Sequence, residues 1–360
     1  MTSKAQLAIA FAALLVLAPI PASNAQGELV LEKVHGYSLE ESLTKENPDR
    51  TVAVYLPASY ESSGERRYPV LYLLHGIGGT QVDWTGAPQG GSSWHTIQDV
   101  MDRGTSAARF AEMIVVVPDQ RTNGGGSFYT NSEATGNWED FTVIDLVGHV
   151  DETYRTRAQA SSRGISGHSM GGYGAIKLGM KHPDIFQVVY GMNSALLGWA
   201  GDLTAENQAY VRAAHATPAS LNPRSDFYTA SLLCVAQAFS PNPEAPFFAE
   251  LPFREDETGG NLVPFDRAYE RWSEHMPLYM VPLYVDNLRN LRALRFDSGR
   301  YDEYTHIHPT NLALSKLLNE LAIPHVYEAY NGDHRDRMWG DEGRLTTEVL
   351  PFFSRMLAFE

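Results

Sequence analysis

A chain of 360 residues, 43% hydrophobic and 20% charged, has the composition of an ordinary folded protein with enough apolar material for one large core. Its formal net charge of −15 argues against nucleic acid or an anionic membrane surface as a partner. Cys234 is the single cysteine, which excludes an internal disulfide and leaves stability to the core.

The chain opens with Lys4, an unbroken apolar run from Leu7 to Leu17, and the small residues Ala22-Ser23-Asn24-Ala25. These are the parts of a secretory signal peptide, with cleavage expected after Ala25. A membrane anchor would need about 20 apolar residues, whereas this run is shorter and is followed by Pro19 and Pro21. No cysteine near the cleavage point offers a lipid anchor, and no second apolar run is long enough to span a membrane. The protein is therefore expected to be exported, either periplasmic or secreted. Loss of the single charge on Lys4 takes the net charge to −16.

Strands are expected over 29–37 and 50–56. The second alternates Val52, Val54 and Leu56 with Thr51, Ala53 and Tyr55, and stops at Pro57. After a polar turn over 61–67, the apolar run Tyr68-Pro69-Val70-Leu71-Tyr72-Leu73-Leu74 suits a parallel strand buried on both faces. It ends in the glycine-rich loop His75-Gly76-Ile77-Gly78-Gly79. A helix over 94–103, a buried strand over 113–117 closed by Pro118-Asp119, and a second glycine-rich loop over 123–127 follow. The spacing of Phe141, Ile144, Leu146, Val147 and Val150 predicts a helix over 138–154 with these residues on its apolar face. A short strand over 163–166 leads into Gly167-His168-Ser169-Met170-Gly171. A helix over 173–181 stops near Pro183, and 186–190 is the next strand. This alternation implies an α/β fold, a mostly parallel sheet with helices on both faces. Functional loops are then expected at the carboxyl ends of the strands.

The rhythm breaks over about 194–290, a stretch rich in proline and aromatics. Helices are expected over 203–214 and 266–275. The stretch reads as an insertion capping the sheet of a single domain over 26–360, although its aromatics could equally serve only to pack the insertion together. Cys234 lies in its apolar run 230–239 and reads as a buried structural thiol. The α/β rhythm then resumes. A strand over 291–296 is followed by a helix over 310–321 with Leu312, Leu314, Leu317, Leu318 and Leu321 apolar. A last strand over 325–329 and a closing helix over 345–357 complete the chain.

Glycines flanking a serine are weak evidence in a chain with 30 glycines. Here, however, Ser169 follows a strand and opens a helix, the context a nucleophile elbow requires. The helix N-terminus places unpaired N–H groups and a positive dipole where an oxyanion would develop. A serine hydroxyl also needs a base. His334, in the loop Asn331-Gly332-Asp333-His334 after the last strand, can reach back to Ser169. His306 and His308 start a helix and read as solvated residues, and His182 before Pro183 reads as a helix-end residue. The acid that orients the base is sought in Asp297-Ser298-Gly299-Arg300-Tyr301-Asp302-Glu303. Asp302 is the first choice, Asp297 at the strand end reads as structural, and Glu303 is the third candidate. The order serine, acid, histidine is that of α/β-hydrolases. The oxyanion donors are expected to be the backbone N–H groups of Met170 and Ile77, with Gly78 as the alternative to Ile77. No cofactor and no metal are expected: HExxH and paired cysteines are absent, and His306-x-His308 alone is a weak metal signal.

With these motifs the chain resembles the esterase-D-like branch of the α/β-hydrolases, which includes feruloyl and acetyl-xylan esterases, S-formylglutathione hydrolases and mycolyltransferases. The resemblance is carried by the 68–79 segment, by Gly167-His168-Ser169-Met170-Gly171-Gly172, by the loop over 299–302 and by Gly332-Asp333-His334. It runs from about Leu29 to the C-terminus apart from the insertion. It implies Ser169 as nucleophile, His334 as base, Asp302 as acid, and Ile77 and Met170 as oxyanion donors. The chain departs from the family where Gly-Thr-x-Asp is frequent and Gly299-Arg300-Tyr301-Asp302 stands here. The implied function is that of an exported serine carboxylesterase acting on a carbohydrate-linked ester of feruloyl or acetyl type, since the glutathione thioester reaction is cytosolic. An acyltransferase of the mycolyltransferase type and a non-catalytic binding protein on a hydrolase scaffold are the alternatives. The resemblance does not fix the acyl group, the alcohol or the oligomeric state.

Overall fold

The apolar runs become the strands of one sheet. A computed structural model describes residues 26–86, 96–217, 219–222 and 224–360. The expected signal peptide over 1–25, and Trp94 at the start of an expected helix, lie outside the described residues. The strands are β1 (Glu28–His35), β2 (Asp49–Leu56), β3 (Val70–Leu74), β4 (Ile114–Pro118), β5 (Arg163–His168), β6 (Val188–Met192), β7 (Ala293–Gly299) and β8 (Val326–Tyr330). They lie side by side in the order β1-β2-β4-β3-β5-β6-β7-β8. From β4 to β8 every neighbouring pair is parallel, with Leu71 opposite Gly164 and Ile165 opposite Val189. β1 and β2 add an antiparallel edge to this core, with β2 antiparallel to β4.

Alternate side chains of each strand feed two separate cores, as strand geometry requires. Val70, Tyr72 and Leu74 of β3 pack on one face, and Leu71 and Leu73 on the other. α1 (Ile97–Ser106) and α7 (345–356) cover the second face, bringing Ile97, Met101, Val349 and Phe353 against it. α1 starts with a reciprocal capping box, Thr96 Oγ1 accepting from Asp99 N–H at 3.1 Å and Asp99 accepting from Thr96 N–H at 3.2 Å. The first face is covered by α2 (138–153), α3 (Met170–Lys181) and α6 (Ile307–Glu320).

α2 departs from the expected face. Its middle, Phe141–Leu146, is π-helical. The wider turn brings Phe141 and Leu146, five residues apart, to the core together and turns Ile144 outward, 61% exposed. In α6, Leu312 likewise faces outward while Leu314 and Leu318 are buried.

Between β6 and β7 the chain leaves the sheet. The helix expected over 203–214 is reduced to Ala209–Ala214, and the one expected over 266–275 forms as α5 (Asp266–Glu274). A third helix, α4 (Phe227–Phe239), has no counterpart in the sequence reading. From Thr229 onward nearly all its residues are buried, so it carries no polar stripe from which a helical period could be read. Cys234 is buried in this helix, its Sγ donating to the Gly124 carbonyl at 2.8 Å. Trp199, Tyr269 and Trp272 stack within the same segment, Trp199 lying 4.5 Å from Tyr269 at an interplanar angle of 8°.

Candidate active site

The loops that leave the carboxyl ends of β3, β5, β7 and β8 converge on one cavity of about 460 Å3, within the usual range for a small-molecule site. Ser169 stands between β5 and α3 with φ 60° and ψ −116°, a conformation an L-residue adopts only when its surroundings impose it. The packing that imposes it is visible at the two flanking glycines. A Cβ on Gly167 would lie 2.5 Å from the backbone of Gly171, and one on Gly171 would lie 2.3 Å from the Leu74 carbonyl oxygen. With both side chains absent, β3, β5 and the first turn of α3 close together and lift Ser169 into the cavity. The Ser169 N–H donates to the Met192 carbonyl at 2.9 Å and fixes the turn against β6.

His334 lines the same cavity from the loop after β8. Its Nδ1 donates to Asp302 Oδ2 at 2.7 Å, which leaves Nε2 as the ring's acceptor. The Asp302 side chain is fully buried. Burial pushes its carboxyl up to about 6, and the Tyr304 N–H, donating to Oδ1 at 2.9 Å, opposes that rise. Both Asp302 oxygens thus accept hydrogen bonds, as a carboxylate does. Burial also pushes the His334 imidazole below its ordinary value, to about 4, so that a neutral imidazole faces the cavity.

The other two acid candidates serve elsewhere. Asp297 is fully buried and bonded to Tyr190 and Arg344 at 2.7 and 2.9 Å. Glu303 accepts from the backbone N–H of His334 at 3.2 Å, whereas the ring's Nδ1 bonds Asp302.

Of the expected oxyanion donors, Ile77 and Met170 both line the cavity beside Ser169. The Gly78 N–H is directed instead to the Gly125 carbonyl at 2.8 Å, which removes it as a donor to a ligand. His75 sets the shape of this loop. Its Nε2 accepts from Gln120 N–H at 2.9 Å, so Nδ1 carries the hydrogen and donates to the Gly76 carbonyl at 2.8 Å.

Three supporting residues escaped the sequence reading. His168 Nε2 and Asn193 Nδ2 both donate to the His334 carbonyl, at 2.6 and 3.0 Å. Burial first, and the neighbouring His334 second, push the His168 imidazole down to about 3, so it stays neutral beside His334. Asn193 also accepts from Gly299 N–H at 2.7 Å, tying the loop of Asp302 to the loop of His334. The third is His306. It is not solvated: only 7% of it is exposed, and its Nδ1 bonds Asp202 Oδ1 at 2.6 Å in the wall of the cavity. A helix-start position gave no sign of this, because Asp202 comes from the distant segment between β6 and β7. His308 bonds Ser298, and His182 bonds Glu139. No group of three or more potential metal ligands occurs among the described residues, nor is any helix among them long and apolar enough to cross a membrane.

Comparison with known proteins gives the family. Residues 44–349 match the model of the esterase family described as "Putative esterase", and the chain belongs to that family. It is 36% identical over 150 residues to an esterase of Mycobacterium tuberculosis, covering 41% of this chain and 29% of the relative. It is 27% identical over 140 residues to an endo-1,4-beta-xylanase/feruloyl esterase of Xylanibacter ruminicola, covering 38% of this chain and 18% of the relative. The chain thus spans less than a third of either relative. Among solved structures, a ferulic acid esterase superposes with a TM-score of 0.59 at 24% identity, over 93% of this chain and all of the other. The shared fold is that of the α/β-hydrolases.

Proposed function

We propose that this member of the esterase family is an exported serine carboxylesterase acting on a carbohydrate-linked ester of the feruloyl or acetyl type. The observation that carries the reading is the 2.7 Å bond from His334 Nδ1 to buried Asp302, in the wall of a cavity that strained Ser169 also lines. Ser169 Oγ attacks the ester carbonyl as His334 Nε2 takes its proton, and Asp302 stabilises the imidazolium. The Ile77 and Met170 N–H groups receive the oxyanion. His334 returns the proton to the leaving alcohol, and water hydrolyses the acyl-enzyme by the same route.

Similarity to a xylanase/feruloyl esterase and to a ferulic acid esterase supports the substrate class. So does the cavity wall, where Tyr304, Tyr228 and Phe227 stand with ring centroids 5.9 to 6.2 Å apart. A space of about 460 Å3 accommodates a single-ring acyl group. The apolar run and small residues before Gln26 support export. N-terminal sequencing of the protein recovered outside the cytoplasm is expected to begin at Gln26. An intact Met1 on exported protein would contradict the processing.

The test of the activity is hydrolysis of a short-acyl nitrophenyl ester and of methyl ferulate, by the mature protein and by Ser169→Ala. Both esters should turn over, and Ser169→Ala should lower kcat by about 10,000-fold or more. Turnover of the short ester alone would move the acyl group to acetyl size. A folded protein inert on both would overturn the hydrolase reading.

A further inference from the structure

One buried polar pair in the cavity wall has no part in the proposed chemistry. His306 is held rigidly: its Nδ1 and its backbone N–H both meet Asp202 Oδ1, at 2.6 and 3.1 Å, and Asp202 N–H donates to Thr305 Oγ1 at 3.0 Å. Burial pushes the Asp202 carboxyl up, but the His306 side chain and backbone N–H, together with the Tyr228 hydroxyl, outweigh it and hold the group below its ordinary value. His306 Nδ1 therefore carries a hydrogen directed at Asp202. Its other nitrogen, Nε2, is buried without a hydrogen-bond partner among the described residues. Buried polar atoms are normally paired, and leaving one without a partner is destabilising. An orphan in the wall of a ligand cavity is satisfied when the ligand brings the partner.

The surroundings define that partner. Tyr304 lies two residues from Asp302 and two from His306, and its ring packs edge-on to His334 at 4.7 Å. Phe227 and Tyr228 continue the aromatic wall, each 5.9 Å from Tyr304. Ser169, His334, this aromatic wall and His306 line the same cavity, so a ring-bearing ester bound there can present a ring substituent to His306. A carboxylate there would be repelled by ionised Asp202. A hydroxyl both donates and accepts, so it can bond an imidazole nitrogen in either protonation state. We propose that the His306–Asp202 pair is a recognition subsite for a free hydroxyl on a ring-bearing ester, and that His306 Nε2 makes the contact. The proposal rests on the reading of this cavity as an ester-binding site. The hydroxyl has two sources: a phenol on the acyl half, or a sugar hydroxyl on the alcohol half.

Binding to Ser169→Ala by titration calorimetry separates this proposal from catalysis. Two ligand pairs are compared: methyl 4-hydroxycinnamate with methyl cinnamate, and a mono-acetylated methyl xyloside with cyclohexyl acetate. One pair is expected to show a preference of about tenfold for its hydroxylated member, the worth of one hydrogen bond. The pair that shows it identifies the source. Adding His306→Phe should erase the preference by weakening the hydroxylated member alone, and His306→Gln, which keeps a hydrogen-bonding group, should retain part of it. Equal binding within both pairs would overturn the subsite, as would no binding of any of the four ligands. So would a His306→Phe variant that weakens both members alike, which is the mark of a merely structural role. Turnover of the nitrophenyl ester by the unsubstituted protein reports on the hydrolase reading separately.

Discussion

The ionisation of His334 governs the proposed reaction, and its neighbours give opposed, measurable effects. Only the neutral imidazole can accept the Ser169 proton, so activity falls as pH drops through its pKa. Burial lowers that pKa, and the acid limb of kcat/KM should therefore have its midpoint below the ordinary imidazole value of about 6.5. Glu303 favours the imidazolium and Arg335 disfavours it. Glu303→Gln should move the limb to lower pH, and Arg335→Gln should move it to higher pH. Both side chains are largely in solvent, so each shift should be about half a pH unit or less. Shifts of the same sign would show that the limb does not report His334. At this scale the triad candidates were legible because each follows a strand in the required order. His306 was not, because its partner lies about a hundred residues away and a histidine at a helix start looks the same whether solvated or buried.

Among the elements, the junction of β3, β5 and α3 decides where Ser169 stands. Alanine ordinarily favours a helix interior over glycine by about 0.5–1 kcal/mol. At Gly171 the added methyl would meet backbone oxygens of Leu74 and His75 at 2.3 and 2.9 Å, which no rotamer change relieves. Gly171→Ala is expected to cost about 1–3 kcal/mol and to displace both Ser169 and the Met170 N–H, so activity should fall more than stability does. Gly148 is the contrast. It lies exposed in α2 with nothing within 4 Å of a Cβ, and Gly148→Ala should stabilise the protein by about 0.5–1 kcal/mol. Thermal melts and nitrophenyl ester rates on the two variants check both signs. The same elements show what patterning reveals. β3 and β4 stood out as unbroken apolar runs because both of their faces are buried. α4 was missed for a related reason: a helix buried on nearly every side has no period. The turn of Ile144 to solvent came from a π-helical stretch that a 3.6-residue period does not anticipate.

Across the whole molecule, one buried arginine joins what the chain order keeps apart. Arg344, just before α7, bonds Asp297 of β7 through Nε at 2.9 Å, Tyr190 of β6 at 3.2 Å and Glu328 of β8 at 2.9 Å. It thus ties the closing helix to three adjacent strands, two of which carry the loops of Asp302 and His334. Local patterning contains no trace of such a contact. Burial pushes the Asp297 carboxyl up, and Arg344 is the main group opposing that. Removing the arginine leaves a carboxylate in the core without its cation, so Arg344→Met is expected to cost about 3–5 kcal/mol at neutral pH. The sign of the pH dependence follows. Without Arg344, Asp297 is more readily protonated in the folded state than in the unfolded one. The deficit against the unsubstituted protein should then be largest above the ordinary carboxylate range and shrink as pH falls. Adding Asp297→Leu removes the stranded charge, and the double variant should recover part of the loss, a coupling that denaturant melts on the full cycle measure directly. Strictly additive single effects would mean that the pair contributes no interaction of its own. The backbone ladders and the two apolar cores would then hold these strands without help from this pair.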